Sequence, residues 1–142
     1  MVIQLINALQ DSDSTVRRAA ASTLGGFQSE MVVSPLINAL QDLDSRVRRT
    51  AAWALGSFQS EAVVNSLSNA ALRDEDSWVR QIAANALIRI EPETAINIIS
   101  TTLQDSDPAV SRGTAYALNN ILSDSKSNTL VEGIVEALVE TL

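Results

Sequence analysis

The sequence predicts an all-α protein, an α-solenoid of about four and a half helix-pair repeats, and three observations carry that prediction. The first is self-similarity. Leu5 to Pro35, LINALQDSDSTVRRAAASTLGGFQSEMVVSP, set above Leu36 to Ser66, LINALQDLDSRVRRTAAWALGSFQSEAVVNS, agrees at 22 of 31 positions, and a fixed period of this size marks a repeat architecture. The pattern resumes with drift as DEDSWVRQIAANALIRI from Asp74, shifted by 32, and as DSDPAVSRGTAYALNNI from Asp105, shifted by 31. The second is that apolar residues within each unit recur at helical spacing. The third is composition. With 46% hydrophobic and 4% aromatic residues, five Gly and three Pro, the chain suits closely packed helices better than sheets.

The chain divides into units of about 1–28, 29–59, 60–91 and 92–122, with a terminal half-unit at 129–142, all within one domain 1–142. In unit 2 the first helix runs from about Glu30 to Gln41, with Val33, Leu36, Ile37 and Leu40 on one side. Pro35 falls near its start, where a missing backbone donor costs little. The second helix runs from about Ser45 to Phe58. Pro108 occupies the column held elsewhere by Ser14, Ser45 and Ser77. Since Pro favours the first helical position, the Asp before it is the expected N-cap, which makes Asp13, Asp44, Asp76 and Asp107 the caps. Val47, Ala51, Leu55 and Phe58 then form one stripe at about 100° per residue. Val16, Ala20, Leu24 and Phe27 repeat it, as do Val79, Ala83, Leu87 and Ile90. One unit cannot cover such a stripe, so units must stack. After the linker SDSKSNT, the segment LVEGIVEALVETL places Ile134 and Leu138 where unit 2 has Leu36 and Leu40.

Several function classes lose ground on composition. There is no Cys and no His, so a disulfide framework, a thiolate metal site and the commonest general base are all absent. The chain is expected not to be an enzyme and to need no cofactor or metal. Asp74, Glu75 and Asp76 form an acidic run, but it lacks the glycine and distal Glu of an EF-hand loop. No apolar run approaches the roughly 18 residues of a membrane span, and MVIQLINALQ has neither a basic n-region nor a cleavage site. The expectation is a cytoplasmic protein without a membrane partner. A formal net charge of −7 opposes nucleic acid binding.

The motif LINALQDLDSRVRRTAAWALG resembles the HEAT-like repeat of phycobiliprotein lyase subunits, and the resemblance covers nearly the whole chain. It implies right-handed stacking of helix pairs, with the second helices lining a concave face. It also implies a structural ladder in which the first loop Asp, here Asp11, Asp42, Asp74 and Asp105, pairs with the Arg after the core Val, here Arg17, Arg48 and Arg80. Unit 4 departs from this, with Ser111 in the Arg column and Arg112 after it.

Residues that vary between units on an otherwise repeated helix carry the functional information. Trp53 lies about 200° round the helix from Ala51 and so points away from the core. Its equivalents are Ser22, Asn85 and Tyr116, and the column one turn earlier holds Arg18, Arg49, Gln81 and Arg112. Further columns read Thr15, Arg46, Trp78, Ala109 and Gly26, Ser57, Arg89, Asn120. The expected binding face therefore comprises Arg18, Ser22, Arg46, Arg49, Trp53, Trp78, Gln81, Asn85, Arg89, Arg112 and Tyr116. Arg and aromatic residues are enriched among binding hot spots.

The sequence thus points to a protein-interaction scaffold whose concave face takes a protein or peptide partner, with acidic groups facing Arg18, Arg49 and Arg112. The resemblance supplies an alternative, a phycobilin lyase or bilin chaperone in which the Arg residues meet propionates while Trp53 and Tyr116 stack on the tetrapyrrole. The ends leave three alternatives: a piece of a longer array, self-capping terminal helices, or self-association through them.

Overall fold

A computed structural model describes residues 1–91 and 93–95. Among these residues every regular element is helical: α1 (Val2–Ala8), α2 (Ser14–Leu24), α3 (Val33–Ala39), α4 (Ser45–Leu55), α5 (Glu61–Arg73) and α6 (Ser77–Ile90). A 3₁₀ turn at Glu30–Val32 leads into α3. The first helix expected from Glu30 is therefore split, and Pro35 stands as the third residue of α3, inside the first turn where its missing N–H is harmless. Phe58 lies beyond the end of α4 yet is buried. Apart from residues 93–95, the fourth unit and the terminal half-unit, with Asp105, Asp107, Arg112 and Tyr116, fall outside the described residues.

The loop before each second helix is built the same way three times. The first Asp accepts the amide of the second, at 2.8 Å for Asp11, 2.9 Å for Asp42 and 2.9 Å for Asp74. The second then caps the helix: Asp13 accepts from the Thr15 amide, Asp44 from Arg46, and Asp76 from Trp78 and Val79. Each cap satisfies amides that have no partner inside the helix and puts negative charge at its positive end.

Packing follows from the stripes. Val47, Ala51, Leu55 and Phe58 are all buried, as are Ala20, Leu24, Val79, Ala83 and Leu87. Burial of each Leu contributes about 1.5–3 kcal/mol. Val16 remains 37% exposed. The second helices pack directly on one another, α2 on α4 and α4 on α6, far more extensively than α3 on α5. The second helices thus form the more closely packed of the two layers. Small residues make that approach possible. A Cβ added at Gly25 would stand 2.8 Å from Ala54 Cβ and 3.1 Å from its Cα. Gly25 has an ordinary helical backbone, φ −60°, so it is close approach and not backbone freedom that calls for glycine there.

The chain is thus an α-solenoid, and its units are bolted together along the loop edge. Arg17 Nε donates to Asp42 Oδ2 at 2.8 Å and Nη2 to Asp42 Oδ1 at 3.1 Å. Arg48 reaches Asp74 in the same two-pronged manner, at 3.0 and 3.3 Å. Each guanidinium also grips its own loop: Arg17 Nη1 donates to the Asp11 carbonyl, Arg48 Nη1 to that of Asp42 and Arg80 Nη1 to that of Asp74. The carboxylate pairs therefore run from one unit to the next, and within a unit the Arg meets the backbone of its loop Asp. Desolvation pushes the Asp42 carboxyl up, but hydrogen bonds from Arg17 and the Asp44 amide outweigh it and hold the group below the usual carboxylate range.

Candidate binding face

Along the layer of second helices, α2 and α4 enclose a shallow depression of about 600 Å³. Helix α2 contributes Arg18 and Ser22, together with Thr15 and Ala19; α4 contributes Arg49, Thr50 and Trp53; Ile82 of α6 completes the lining. Four of the expected face residues, Arg18, Ser22, Arg49 and Trp53, thus meet at one place. Trp53 is 56% exposed, an amphipathic ring left uncovered beside small side chains. A depression of similar size, about 610 Å³, lies beside α5 and the end of α6, but its walls are mostly polar and it has no aromatic side chain.

The other expected residues stand apart from this depression. Trp78, 51% exposed, sits in the first turn of α6. Gln81 and Asn85 are half-buried on α6, and Asn85 Oδ1 is buried with no hydrogen-bond partner among the described residues. Arg89 lays its guanidinium over Gly56, where an added Cβ would stand 2.5 Å from Nη2. Three lining residues, Ala19, Thr50 and Ile82, escaped the sequence reading. They occupy one column of the repeat, and its variation from Ala to Thr to Ile is the signal that marks them.

Electrostatically the face is less positive than its arginines suggest. Arg46 Nη2 lies 2.9 Å from Asp44 Oδ2, and Arg49 Nη2 lies 2.9 Å from Asp76 Oδ2, with Nε 3.3 Å from Oδ1. The Arg46 side chain, then the Arg46 amide, holds the Asp44 carboxyl well below the usual carboxylate range. The Arg49 guanidinium does the same for Asp76. Arg49 therefore does not offer a spare charge to a partner, because the next helix's cap has already taken it. Of Arg18, Arg46 and Arg49, only Arg18 is exposed with no partner among the described residues.

These features define a helical-repeat protein with a partly apolar groove between its second helices. Residues 3–88 and 64–140 match the family described as HEAT repeats, and the chain belongs to that family. No curated protein matches it significantly. Among solved structures it is similar to human deoxyhypusine hydroxylase, at 26% identity and a TM-score of 0.70, over 84% of this chain and 42% of that one. It is similar also to the CpcE–CpcF complex of phycocyanin lyase from Nostoc, at 16% identity and a TM-score of 0.63, over 96% and 97% of the two chains. The condensin Cnd3–Cnd2 subcomplex of S. pombe matches at 16% identity and a TM-score of 0.52, over 99% of this chain and 27% of that one. The chain thus spans less than half of the hydroxylase.

These likenesses correct one expectation. The lack of His and Cys suggested a chain that is not an enzyme, yet the same fold occurs in a hydroxylase and in a lyase. Helical-repeat architecture is therefore evidence neither for nor against catalysis, since function resides in sites carried on a fold. Two of the similar structures are assemblies of protein subunits. Among the described residues no helix is long and apolar enough to cross a membrane.

Proposed function

We propose that the chain is a protein-interaction scaffold and that the depression between α2 and α4 receives a segment of a partner protein. The observation that carries this reading is the meeting of exposed Trp53 with Arg18, Ser22 and Ile82 around one opening of about 600 Å³. An aromatic anchor beside an uncommitted guanidinium combines apolar contact area with directional hydrogen bonding, as binding hot spots do. The bilin reading rests on a fold shared at 16% identity and gains no feature of its own from the groove.

The test is a double substitution, Arg18→Glu with Trp53→Ala, both on exposed positions whose loss leaves the core intact. Partners captured from the native source by the unaltered protein and identified by mass should be lost from the variant by tenfold or more. An unchanged set of partners from a variant with unaltered circular dichroism would rule out this face. Added bilin should leave the visible spectrum of the bilin unchanged; a shift abolished by the same substitutions would favour the lyase-like alternative.

A further inference from the structure

Two neighbouring units of this protein treat the same pair of columns differently. From unit 2 to unit 3, Arg49 crosses to the capping carboxylate of the next helix, Asp76, with contacts of 2.9 and 3.3 Å. The corresponding residues one unit earlier are Arg18 and Asp44. They do not pair: Asp44 is taken by Arg46, through Nη2 at 2.9 Å and Nε at 3.2 Å, and Arg18 is left exposed.

Position 46 is what differs. Its counterpart in unit 3 is Trp78, which carries no guanidinium and leaves Asp76 to Arg49. Arg46 is only two residues from Asp44, so it closes a short local loop, whereas Arg18 must reach across from another helix. With the Arg46 amide and Nε on Oδ1 and Nη2 on Oδ2, both Asp44 oxygens are occupied in the directions a two-pronged guanidinium would use.

We propose that the groove takes a peptide segment bearing a carboxylate, that Arg18 receives this carboxylate, and that Arg46 is the positioning residue that leaves Arg18 open by engaging Asp44. The assignment rests on the groove being the binding site. A single carboxylate fits the charge count, because one guanidinium on this stretch is uncommitted and Arg49 is already neutralised by Asp76. A phosphate dianion would need a second cation. The fork of Arg18 meets a carboxylate through two parallel bonds, while Trp53 and Ile82 cover a neighbouring apolar side chain.

The probe is the peptide acetyl-Leu-Glu-Leu-Glu-Leu amide, with its Gln-for-Glu counterpart as the neutral control, titrated by calorimetry. The unaltered protein binds the acidic peptide more tightly than the neutral one, and Arg18→Gln removes that preference, about tenfold for a charge-assisted bond. Arg46→Thr, which installs the residue type of position 15, causes a similar loss because Arg18 turns to Asp44. The double variant is no weaker than either single one. Adding Asp44→Asn to Arg46→Thr restores binding to within about twofold, since Asn keeps the helix cap but no longer attracts Arg18. Full affinity in Arg46→Thr, losses that multiply in the double variant, or failure of the Asn rescue would each overturn the role of Arg46 while leaving the groove reading intact. Equal binding of the two peptides by the unaltered protein, or no effect of Arg18→Gln, would overturn the carboxylate assignment alone, whereas unchanged affinity of Trp53→Ala for both peptides would overturn the groove reading. A measurement without peptide decides the switch separately: by NMR, Arg18→Gln should raise the Asp44 pKa in the Arg46→Thr background and leave it unchanged otherwise. The absence of that rise would refute the exchange of partners.

Discussion

Replacing Arg48 with Met should be among the most damaging single changes in the described part of the chain. Arg48 is 7% exposed and its guanidinium makes four hydrogen bonds: two to the Asp74 carboxylate, one to the Asp42 carbonyl at 2.7 Å and one to the Leu43 carbonyl at 3.2 Å, with the exposed Glu75 carboxylate a further 3.6 Å contact. The Asp74 side chain is 8% exposed. Met fills much of the same volume but donates nothing, so a nearly buried carboxylate and two carbonyls lose their donors together. Breaking such a pair by removing one partner costs about 3–5 kcal/mol. Asp74 keeps the Asp76 amide at 2.9 Å, which places the expected loss at the lower end, about 3 kcal/mol, or roughly 10 °C in Tm for a chain of this size. Guanidinium unfolding followed by circular dichroism at 222 nm measures it. Arg48→Met combined with Asp74→Asn removes the stranded charge and keeps the loop's amide acceptor, and it should recover half or more of the loss. A single variant that loses less than about 1 kcal/mol, or a double variant less stable than the single, would refute the claim that an uncompensated charge causes the damage.

Close helix approach and acid sensitivity supply two further tests. Gly25→Ala pushes a methyl group into Ala54 and should destabilise by about 1–3 kcal/mol, whereas Gly26→Ala, whose added Cβ would meet only the Thr23 carbonyl at 3.4 Å, should be tolerated; equal Tm values for the two variants would contradict the packing argument. Asp42 and Asp76 are held below the ordinary carboxylate pKa in the folded state. A depressed folded pKa stabilises above the unfolded value and loses that contribution as pH falls, so Tm should hold from neutral pH to about 5 and decline below about 4. A melting temperature that stays level or rises down to pH 2.5 would show that these carboxylates do not stabilise the fold.

The helices, their caps and the core stripe were legible because each is a local pattern repeated along the chain. Asp13, Asp44 and Asp76 could be named as caps from the column that contains Pro108, and each accepts the amide expected of a cap. The exposure of Trp53 followed from its angle to Ala51. The break in the helix expected from Glu30 was not legible, because a 3₁₀ turn and an α-turn carry the same apolar spacing over three residues. The partners of the arginines were also hidden. Arg18 and Arg49 occupy one column and looked equivalent, yet Arg49 is tied to Asp76 while Arg18 is not.

Periodicity and residue type were enough, by themselves, to establish that this chain is a stack of helix pairs, which residues face its core and which vary on its surface. Burial of an apolar stripe depends on spacing alone, and spacing is written in the chain. Tertiary structure alone decided which unit each guanidinium reaches and which carboxylate is already taken. Two columns of opposite charge can pair within a unit, between units or through a competing neighbour, and these choices differ by distances of a few ångströms that no one-dimensional pattern records. That competition, resolved at Asp44 in favour of Arg46 and at Asp76 in favour of Arg49, is what leaves Arg18 beside Trp53 without a partner among the described residues.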